Sequence, residues 1–175
     1  LGATAGRTTL NGEGLQHEDG HSHILSSVIP NCVSYDPTFG FELAVIIHDG
    51  ITRMFCNQED WIYYLTVTNE NYRMPPMPKR AGVKEGILKG LYRFRPTALK
   101  EGARKAHLLG SGAILNAALA SAEILETKYG VAADVWSVTS FSELRRDGMR
   151  AARACRLGSE RARQSYVASC LDPTR

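Results

Sequence analysis

The chain has 175 residues, of which 43% are hydrophobic, and its formal net charge is a mild +3. That length allows one ordinary domain or parts of two. No apolar run approaches the roughly 20 residues that a membrane-spanning helix needs, and the first residues lack the basic and apolar regions of a signal peptide. Because the chain also lacks an initiating Met, we expect a segment of a longer protein.

Cysteines and basic residues give only weak functional signals. The four cysteines are far apart and form no CxxC pair, so we expect free thiols in a reducing cytoplasm. Basic residues gather in two stretches, at 79–105 and 145–163. No zinc knuckle or stacking-aromatic module accompanies them, so we expect no nucleic-acid partner. A solvated face and contact with an acidic partner both stay open for these stretches.

The first half of the chain predicts one βαβ unit. Residues 1–27 are rich in Gly, Ser, Thr and His without a helical or strand period, which indicates a long functional loop. A β-prone run at 31–35 and a buried strand at 61–68 flank a helix from Thr38 to about Cys56. Strand, helix and strand at this spacing imply a parallel sheet.

The segment after the second strand has polar side chains at its start and prolines at its end. Pro75, Pro76 and Pro78 exclude a helix or a central strand there. Because loops at the carboxyl ends of parallel strands bind ligands, residues 69–72 are expected at a functional edge. Residues 79–104 are predicted to be a basic connector with one short helix at 83–91.

A second βαβ unit follows. We predict strands at 106–109 and 135–138, a helix at 113–129 capped by Gly130, and another helix that starts at Ser142. The fold class is therefore α/β, with parallel-sheet units from two domains. The turn at 110–112, Gly-Ser-Gly, could hold a phosphate at a helix N-terminus, but a tight turn is the simpler interpretation.

Residues 13–23 hold three histidines and three carboxylates, the densest chemistry in the chain. Imidazoles and carboxylates move protons and bind metals near neutral pH. A metal site is one interpretation, and a structural loop in which these groups satisfy one another is a second. A proton-transfer or substrate-holding loop is favoured, because no rigid frame for metal ligands is evident. His48 and His107, on a helix and a strand, are expected to be structural.

Five collinear segments carry a resemblance to a known family. They are residues 2–23, which include QHEDGHSH, then IPNCVSYDP at 29–37, TNENY at 68–72, LLGSG at 108–112 and SVTSF at 137–141. In this order they resemble the homodimeric, bacterial-type pyruvate dehydrogenase E1 components, which are transketolase-like thiamine diphosphate enzymes. The resemblance is weaker at 79–104 and at 149–164.

The resemblance implies a domain assignment. Residues 1–78 would be the C-terminal part of a pyrimidine-binding domain, 79–104 the connector, and 105–175 the N-terminal part of a transketolase C-terminal-like domain. The related transketolase motif, Glu-Asp-Gly-Pro-Thr-His, aligns with residues 18–23. This alignment implies that His23 contacts the substrate and that Asp19 lies beside it, with His17 as a further catalytic candidate. Further candidates near the substrate or cofactor are Glu18, His21, Asn69, Glu70 and Asn71.

Thiamine diphosphate with Mg²⁺ is the cofactor that the resemblance implies. The family's signature for the diphosphate and metal, Gly-Asp-Gly followed by an Asn pair, does not occur in this sequence. The glutamate that activates the cofactor would lie upstream of Leu1. The diphosphate and metal ligands are therefore expected outside this chain, no metal ligand is expected within it, and the chain alone is expected to be inactive.

The implied reaction is the oxidative decarboxylation of pyruvate, with transfer of the acetyl unit to the lipoyl group of the dihydrolipoyl acetyltransferase component. The implied partners are that component and a second E1 subunit, and the basic stretch at 79–105 could meet an acidic patch on the acetyltransferase. Two alternatives stay open: another transketolase-like thiamine diphosphate enzyme, and a non-catalytic dimer or complex interface domain.

Overall fold

A computed structural model describes residues 21–68, 71–99, 104–158 and 164–171. After a short helix α1 (Ser22–Ser27), strand β1 (Cys32–Tyr35), helix α2 (Gly40–Gly50) and strand β2 (Ile62–Leu65) form the first unit. A π-helical segment at Ile51–Cys56 directly follows α2. β1 and β2 pair in parallel, as the sequence predicts for a βαβ unit.

The second unit contains a three-stranded sheet. Its elements are α3 (Val83–Lys89), β3 (Leu91–Arg95), β4 (Lys105–Gly110), α4 (Ile114–Tyr129), β5 (Ala132–Val138), α5 (Phe141–Arg156) and α6 (Tyr166–Leu171). The strand order is β3-β5-β4, in which β4 and β5 are parallel. The predicted α/β class with parallel βαβ units is therefore confirmed.

Strand β3 is a departure from the expected connector. It pairs antiparallel with β5, and Leu91 and Tyr92 at its start are buried. The basic side chains of Arg93 and Arg95 hide this strand in the sequence, because they suggest a solvated linker. In the structure they pair with acidic residues of the same unit, Arg93 with Asp134 and Arg95 with Glu126.

Three further elements differ from the sequence-based expectation. Helix α1 lies at the end of the predicted loop, and α6 lies where no helix was predicted. The expected buried strand at 61–68 is shorter and partly exposed, with Ile62 at 52% relative exposure. Among the described residues, β2 has a strand neighbour on one side only. None of the helices in the described ranges is both long and apolar enough to cross a bilayer.

The two units share a continuous core. Burial of apolar surface is the main force that holds such packing together. In one buried cluster, side chains of the first unit contact those of α3 and β3: Val33, Tyr35, Ile46, Val83, Ile87 and Tyr92. Helix α4 covers the second sheet through Leu115 and Ala122, which pack with Phe39 of the first unit.

Glu42 is a fully buried carboxylate at the seam between the two units. Its Oε2 accepts hydrogen bonds from the backbone N–H groups of Thr38 (2.6 Å) and Phe39 (3.0 Å), so it caps its own helix. Its Oε1 accepts from the hydroxyls of Tyr92 (2.6 Å) and Ser137 (2.7 Å) in the second sheet. Burial, together with the adjacent Glu42, raises the pKa of Tyr92 far above its usual value and keeps the phenol protonated as a donor.

Asp36 makes a second connection between the units. Its backbone N–H donates to the carbonyl of Thr139 (2.8 Å), and its carbonyl accepts from the N–H of Gly112 (3.2 Å). The Ser111 hydroxyl donates to its Oδ2 (3.0 Å). Because these partners follow β5 and β4, Asp36 joins the carboxyl end of β1 to the same ends of the second sheet.

Removal of the Glu42 carboxylate should destabilise the whole chain. Glu42→Ala leaves two backbone donors and two hydroxyls without their acceptor, and we expect a loss of about 3 kcal/mol in the free energy of unfolding. Glu42→Gln keeps the shape and one carbonyl acceptor, so its loss should be smaller, about 1 to 2 kcal/mol. Urea unfolding monitored by circular dichroism measures both, and equal stability of the Ala variant and the wild type would contradict this account.

A pair of glycine substitutions tests the close approach of Asp36 to the turn after β4. Gly112 has φ +51°, and a Cβ at this position would lie 2.9 Å from Asp36 Oδ2. We expect Gly112→Ala to lower the free energy of unfolding by about 2 kcal/mol. Gly148→Ala is the matched control, because Gly148 lies within α5 with nothing within 4 Å of an added Cβ. That control should stabilise the chain by up to about 1 kcal/mol, and the same sign for both variants would argue against the contact.

Candidate functional site

A cavity of about 440 Å³ lies where the carboxyl ends of β1, β4 and β5 come together. Ligands of open α/β sheets bind at such ends. Its wall combines side chains and backbone from α1, the end of β1, the β4–α4 turn and the start of α5: Ser22, His23, Ile24, Asp36, Leu109, Gly110, Ser111, Ile114, Ser140, Phe141 and Ser142. Both units contribute, so the cavity exists only because the seam holds them together.

His23 is the sequence-predicted residue that the structure places in this wall. Its Nε2 lies 2.9 Å from Thr66 Oγ1, at the end of β2. The Thr66 hydroxyl donates to Asp36 Oδ1 at 2.6 Å. The imidazole also contacts the Tyr64 ring in an edge-on arrangement, with ring centroids 5.4 Å apart. One histidine, one hydroxyl and one carboxylate thus form a chain that crosses from α1 to the seam.

Apolar side chains border the polar part of the cavity. Ile24, Ile114 and Phe141 are each more than half exposed, and Leu109 is 41% exposed. The serine hydroxyls between them supply hydrogen-bonding groups, although Ser140 already donates to Ser34 O and caps α5 by accepting from the Glu143 N–H. A polar wall with an apolar border suits a small organic ligand that has one polar end.

The Gly-Ser-Gly turn after β4 is a tight turn that faces a carboxylate. Ser111 donates to Asp36, and Gly112 approaches that carboxylate so closely that a side chain would not fit. An anion at this turn would meet the negative charge of Asp36. The simpler interpretation of this turn therefore holds, and a phosphate here is disfavoured by like-charge repulsion.

The other candidate site residues lie either outside the described residues or outside the cavity wall. His17, Glu18 and Asp19 lie outside the described residues, as do Asn69 and Glu70. His21 is exposed at the N-terminus of α1 and is not part of the cavity wall. Asn71 is exposed and also does not line the cavity. Their functional roles stay predictions.

Sequence reasoning missed Asp36 and Thr66. Asp36 directly follows the β-prone run at 31–35, and no role is predicted for it from the sequence. The rule that directs attention to carboxyl ends of parallel strands was applied after β2 alone. Applied to β1 as well, it would have selected Asp36, and Thr66 is a polar residue at the end of a mostly apolar and aromatic strand.

The two histidines expected to be structural lie away from the cavity. His48 is exposed on α2. His107 Nδ1 accepts a hydrogen bond from the Trp136 indole N–H at 3.1 Å, which indicates a packing role.

The two basic stretches have different surroundings. The stretch at 79–105 is partly neutralised by the ion pairs of β3. In the second stretch, four arginines of α5 line a separate groove of about 480 Å³: Arg145, Arg150, Arg153 and Arg156.

The described residues fit only part of a thiamine diphosphate site. Nowhere in the described ranges do three or more His, Cys, Asp or Glu side chains gather so that they could hold a metal ion. Of the described residues in the cavity wall, Asp36 alone carries a carboxylate, and it faces the turn that would otherwise suit a phosphate. The cavity therefore offers no cradle for a diphosphate and its metal, and its histidine and apolar border suit a neighbouring organic ligand.

Comparison with protein families divides the chain into two matches. Residues 1–75 match a model described as the pyruvate dehydrogenase E1 component middle domain. Residues 90–175 match the transketolase-like C-terminal domain. The second match begins at the strand β3 that the sequence pattern had hidden.

Comparison with individual protein sequences leads to the same family. The chain is 56% identical to the pyruvate dehydrogenase E1 component of Pseudomonas aeruginosa, with 98% of this chain and 19% of that protein aligned. It is 53% identical to the E1 component of Escherichia coli K12, again over 98% of this chain and 19% of that protein. The chain thus spans about a fifth of the length of these relatives.

Among solved structures, an R525L mutant of transketolase from Pichia stipitis aligns with 91% of this chain and 19% of its own. Its TM-score is 0.59 at 18% identity, so this likeness concerns the fold alone. Two family models in order along the chain, relatives above 50% identity and a transketolase-like fold lead to one conclusion. The chain belongs to the family of pyruvate dehydrogenase E1 components.

Proposed function

We propose that this chain is part of a pyruvate dehydrogenase E1 component that catalyses the thiamine-diphosphate-dependent oxidative decarboxylation of pyruvate. The acetyl unit is then transferred to the lipoyl group of the dihydrolipoyl acetyltransferase component. The observation that carries the proposal is His23 in the wall of a 440 Å³ cavity at the carboxyl ends of the strands, in a chain of this family.

Within that enzyme, thiamine diphosphate with Mg²⁺ supplies the electron sink for carbanion chemistry when it is bound. Its diphosphate and metal ligands belong to parts of the enzyme outside this chain, and so does the glutamate that activates it. This chain provides one wall of the active site. His23 exchanges a hydrogen bond or a proton with the substrate oxygen on which charge changes, and the apolar border of Ile24, Ile114 and Phe141 excludes water.

The remaining site assignments follow the family motif. Asp19 and His17 stay proposed catalytic partners of His23, because Asp19 belongs to the motif at 18–23 and His17 directly precedes it. Glu18, His21 and the 69–71 segment are proposed to lie near the substrate or cofactor. Of these residues, only His23 has a described contact with the cavity.

Two protein partners belong to the proposal. The first is a second E1 subunit in a homodimer, and the exposed apolar side chains of α1 and the residues after it support such an interface: Ile24, Leu25, Val28 and Ile29. The second is the acetyltransferase component, which accepts the acetyl unit. We propose a cytoplasmic location, in line with four cysteines that are all free thiols.

Replacement of His23 should slow turnover of the full-length enzyme. We expect His23→Gln to lower kcat by about 100-fold with little change in cofactor affinity, because the lost group acts in proton transfer. Exposed His48 offers a matched control, and His48→Gln should leave kcat unchanged. Pyruvate-dependent NADH formation in the reconstituted complex measures both variants. A His23→Gln enzyme with wild-type kcat would refute the assignment.

The isolated 175-residue chain should bind thiamine diphosphate weakly or not at all. The proposed diphosphate and metal ligands lie outside it, and the described cavity has no cradle for them. Isothermal titration with thiamine diphosphate and Mg²⁺ should give no micromolar binding for the chain, whereas the full-length enzyme serves as the positive control. A micromolar Kd for the chain would show that the cofactor ligands have been assigned to the wrong part of the enzyme.

A further inference from the structure

Three polar groups connect the cavity to the buried seam. His23 Nε2 is 2.9 Å from Thr66 Oγ1, and the same oxygen is 2.6 Å from Asp36 Oδ1. The three residues come from three different elements: α1, the end of β2 and the end of β1. Local sequence does not bring them together, because 43 residues separate His23 from Thr66 and 30 separate Thr66 from Asp36.

The direction of each hydrogen bond follows from the number of protons available. An ionised carboxylate can only accept, and so can a carbonyl. The Thr66 hydroxyl faces Asp36 Oδ1 at 2.6 Å and the Tyr35 carbonyl at 3.4 Å, so its single proton is directed mainly to the nearer Asp36. The Thr66 oxygen then has only lone pairs to offer His23. The ring nitrogen that faces it must therefore carry a proton, which selects the Nε2–H form of the imidazole.

Asp36 is held firmly enough to impose this direction. The residue is 8% exposed, and its Oδ2 accepts from the Ser111 hydroxyl at 3.0 Å. Its backbone is bonded on both sides, to Thr139 and to Gly112. A carboxylate fixed by the second unit thus determines the orientation of a hydroxyl in the first unit.

The ring plane of His23 is fixed by a separate contact. The edge-on packing against Tyr64 has an interplanar angle of 82°, an arrangement that aromatic pairs favour. Among the described contacts, Thr66 thus bears on which nitrogen carries the proton, and Tyr64 on how the ring is oriented. Such preorganisation of a site side chain is usual around functional histidines.

We propose that Asp36, acting through Thr66, is a positioning residue that fixes the tautomer of His23. The role of His23 in turnover belongs to the proposed function, whereas the tautomer is a property of this chain alone. In the Nε2–H form, the neutral ring carries its lone pair on Nδ1, so Nδ1 is the nitrogen that accepts a proton. Asp36 and Thr66 need not touch the substrate to have this effect.

Long-range ¹H–¹⁵N correlation spectra of the histidine rings test the proposal directly in this chain. The measurement is made at a pH at which the rings are neutral, and His23→Gln assigns the signals. We expect a protonated Nε2 in the wild type. Thr66→Val removes the acceptor for Nε2–H and should shift His23 towards the other tautomer, whereas Thr66→Ser, which keeps the hydroxyl, should preserve the wild-type pattern.

Asp36 is tested by a second matched pair. Asp36→Asn keeps a carbonyl acceptor for Thr66 and should retain the Nε2–H form. Asp36→Ala removes the nearer acceptor and leaves the Tyr35 carbonyl, 3.4 Å from Thr66 Oγ1, so the Thr66 proton is held more weakly and the share of the Nε2–H form should fall below that of Asp36→Asn. The His107–Trp136 signals, which are distant from the cavity, report whether each variant is folded. A wild-type ring protonated on Nδ1, or an unchanged tautomer in folded Thr66→Val, would overturn the proposal.

Turnover of the full-length enzyme separates this proposal from the proposed function. We expect Thr66→Val to lower kcat about 10-fold and Thr66→Ser to restore it to within about twofold of wild type. If His23→Gln leaves kcat unchanged, the proposed function fails but the tautomer measurement still decides the positioning role. If the tautomer shifts in Thr66→Val while kcat does not, His23 is positioned as proposed and its part in turnover is wrong.

Discussion

The Glu42 carboxylate, buried at the seam, is the interaction on which the rest of the structure depends. It belongs to a helix of the first unit, yet two of its four hydrogen bonds come from the sheet of the second. A buried charge is tolerated only when it is fully hydrogen-bonded, so the two units must meet in the correct relative position for Glu42 to be satisfied. Around it, most of the buried polar residues lie along the same seam: Ser34, Asp36, Thr38, Ser137, Thr139 and Ser140.

This seam explains why residues from both units form the candidate site. The cavity wall takes His23 and Asp36 from the first unit and Ser111 and Ser140 from the second. Apolar packing alone is tolerant of small shifts, whereas a polar network imposes a single register. Two separate domain models of the family match the chain, one at residues 1–75 and one at residues 90–175. The polar seam lies where these two matched regions face each other. The proposed active-site wall is thus a consequence of how the domains are joined.

Much of this fold could be predicted from sequence because its main elements follow simple periods. The helix α4, predicted at 113–129, spans Ile114–Tyr129 and is followed by Gly130, which has φ +61°. Strand β3 could not be recognised, because its arginines are satisfied by acidic partners far along the chain, Asp134 and Glu126. Pairing between distant residues leaves no local trace in the sequence.

In the candidate site, too, only some of the residues could be predicted from the sequence. His23 was selected because its loop is dense in imidazoles and carboxylates and because the family motif includes it. Thr66 and Asp36 have no unusual neighbours in sequence, and only the fold brings them to the histidine. Chemistry that is concentrated locally can be predicted, whereas the groups that orient it depend on tertiary contacts.

Native-state hydrogen exchange of the chain tests the central claim, that the two units form one cooperative structure joined by the polar seam. Amides of β1 in the first unit and of β5 in the second should exchange through openings of equal free energy, within about 1 kcal/mol. Glu42→Gln should lower both values by the same amount, because the carboxylate joins the units. Exchange of β1 through a separate, less costly opening, with β5 unaffected by Glu42→Gln, would contradict the account.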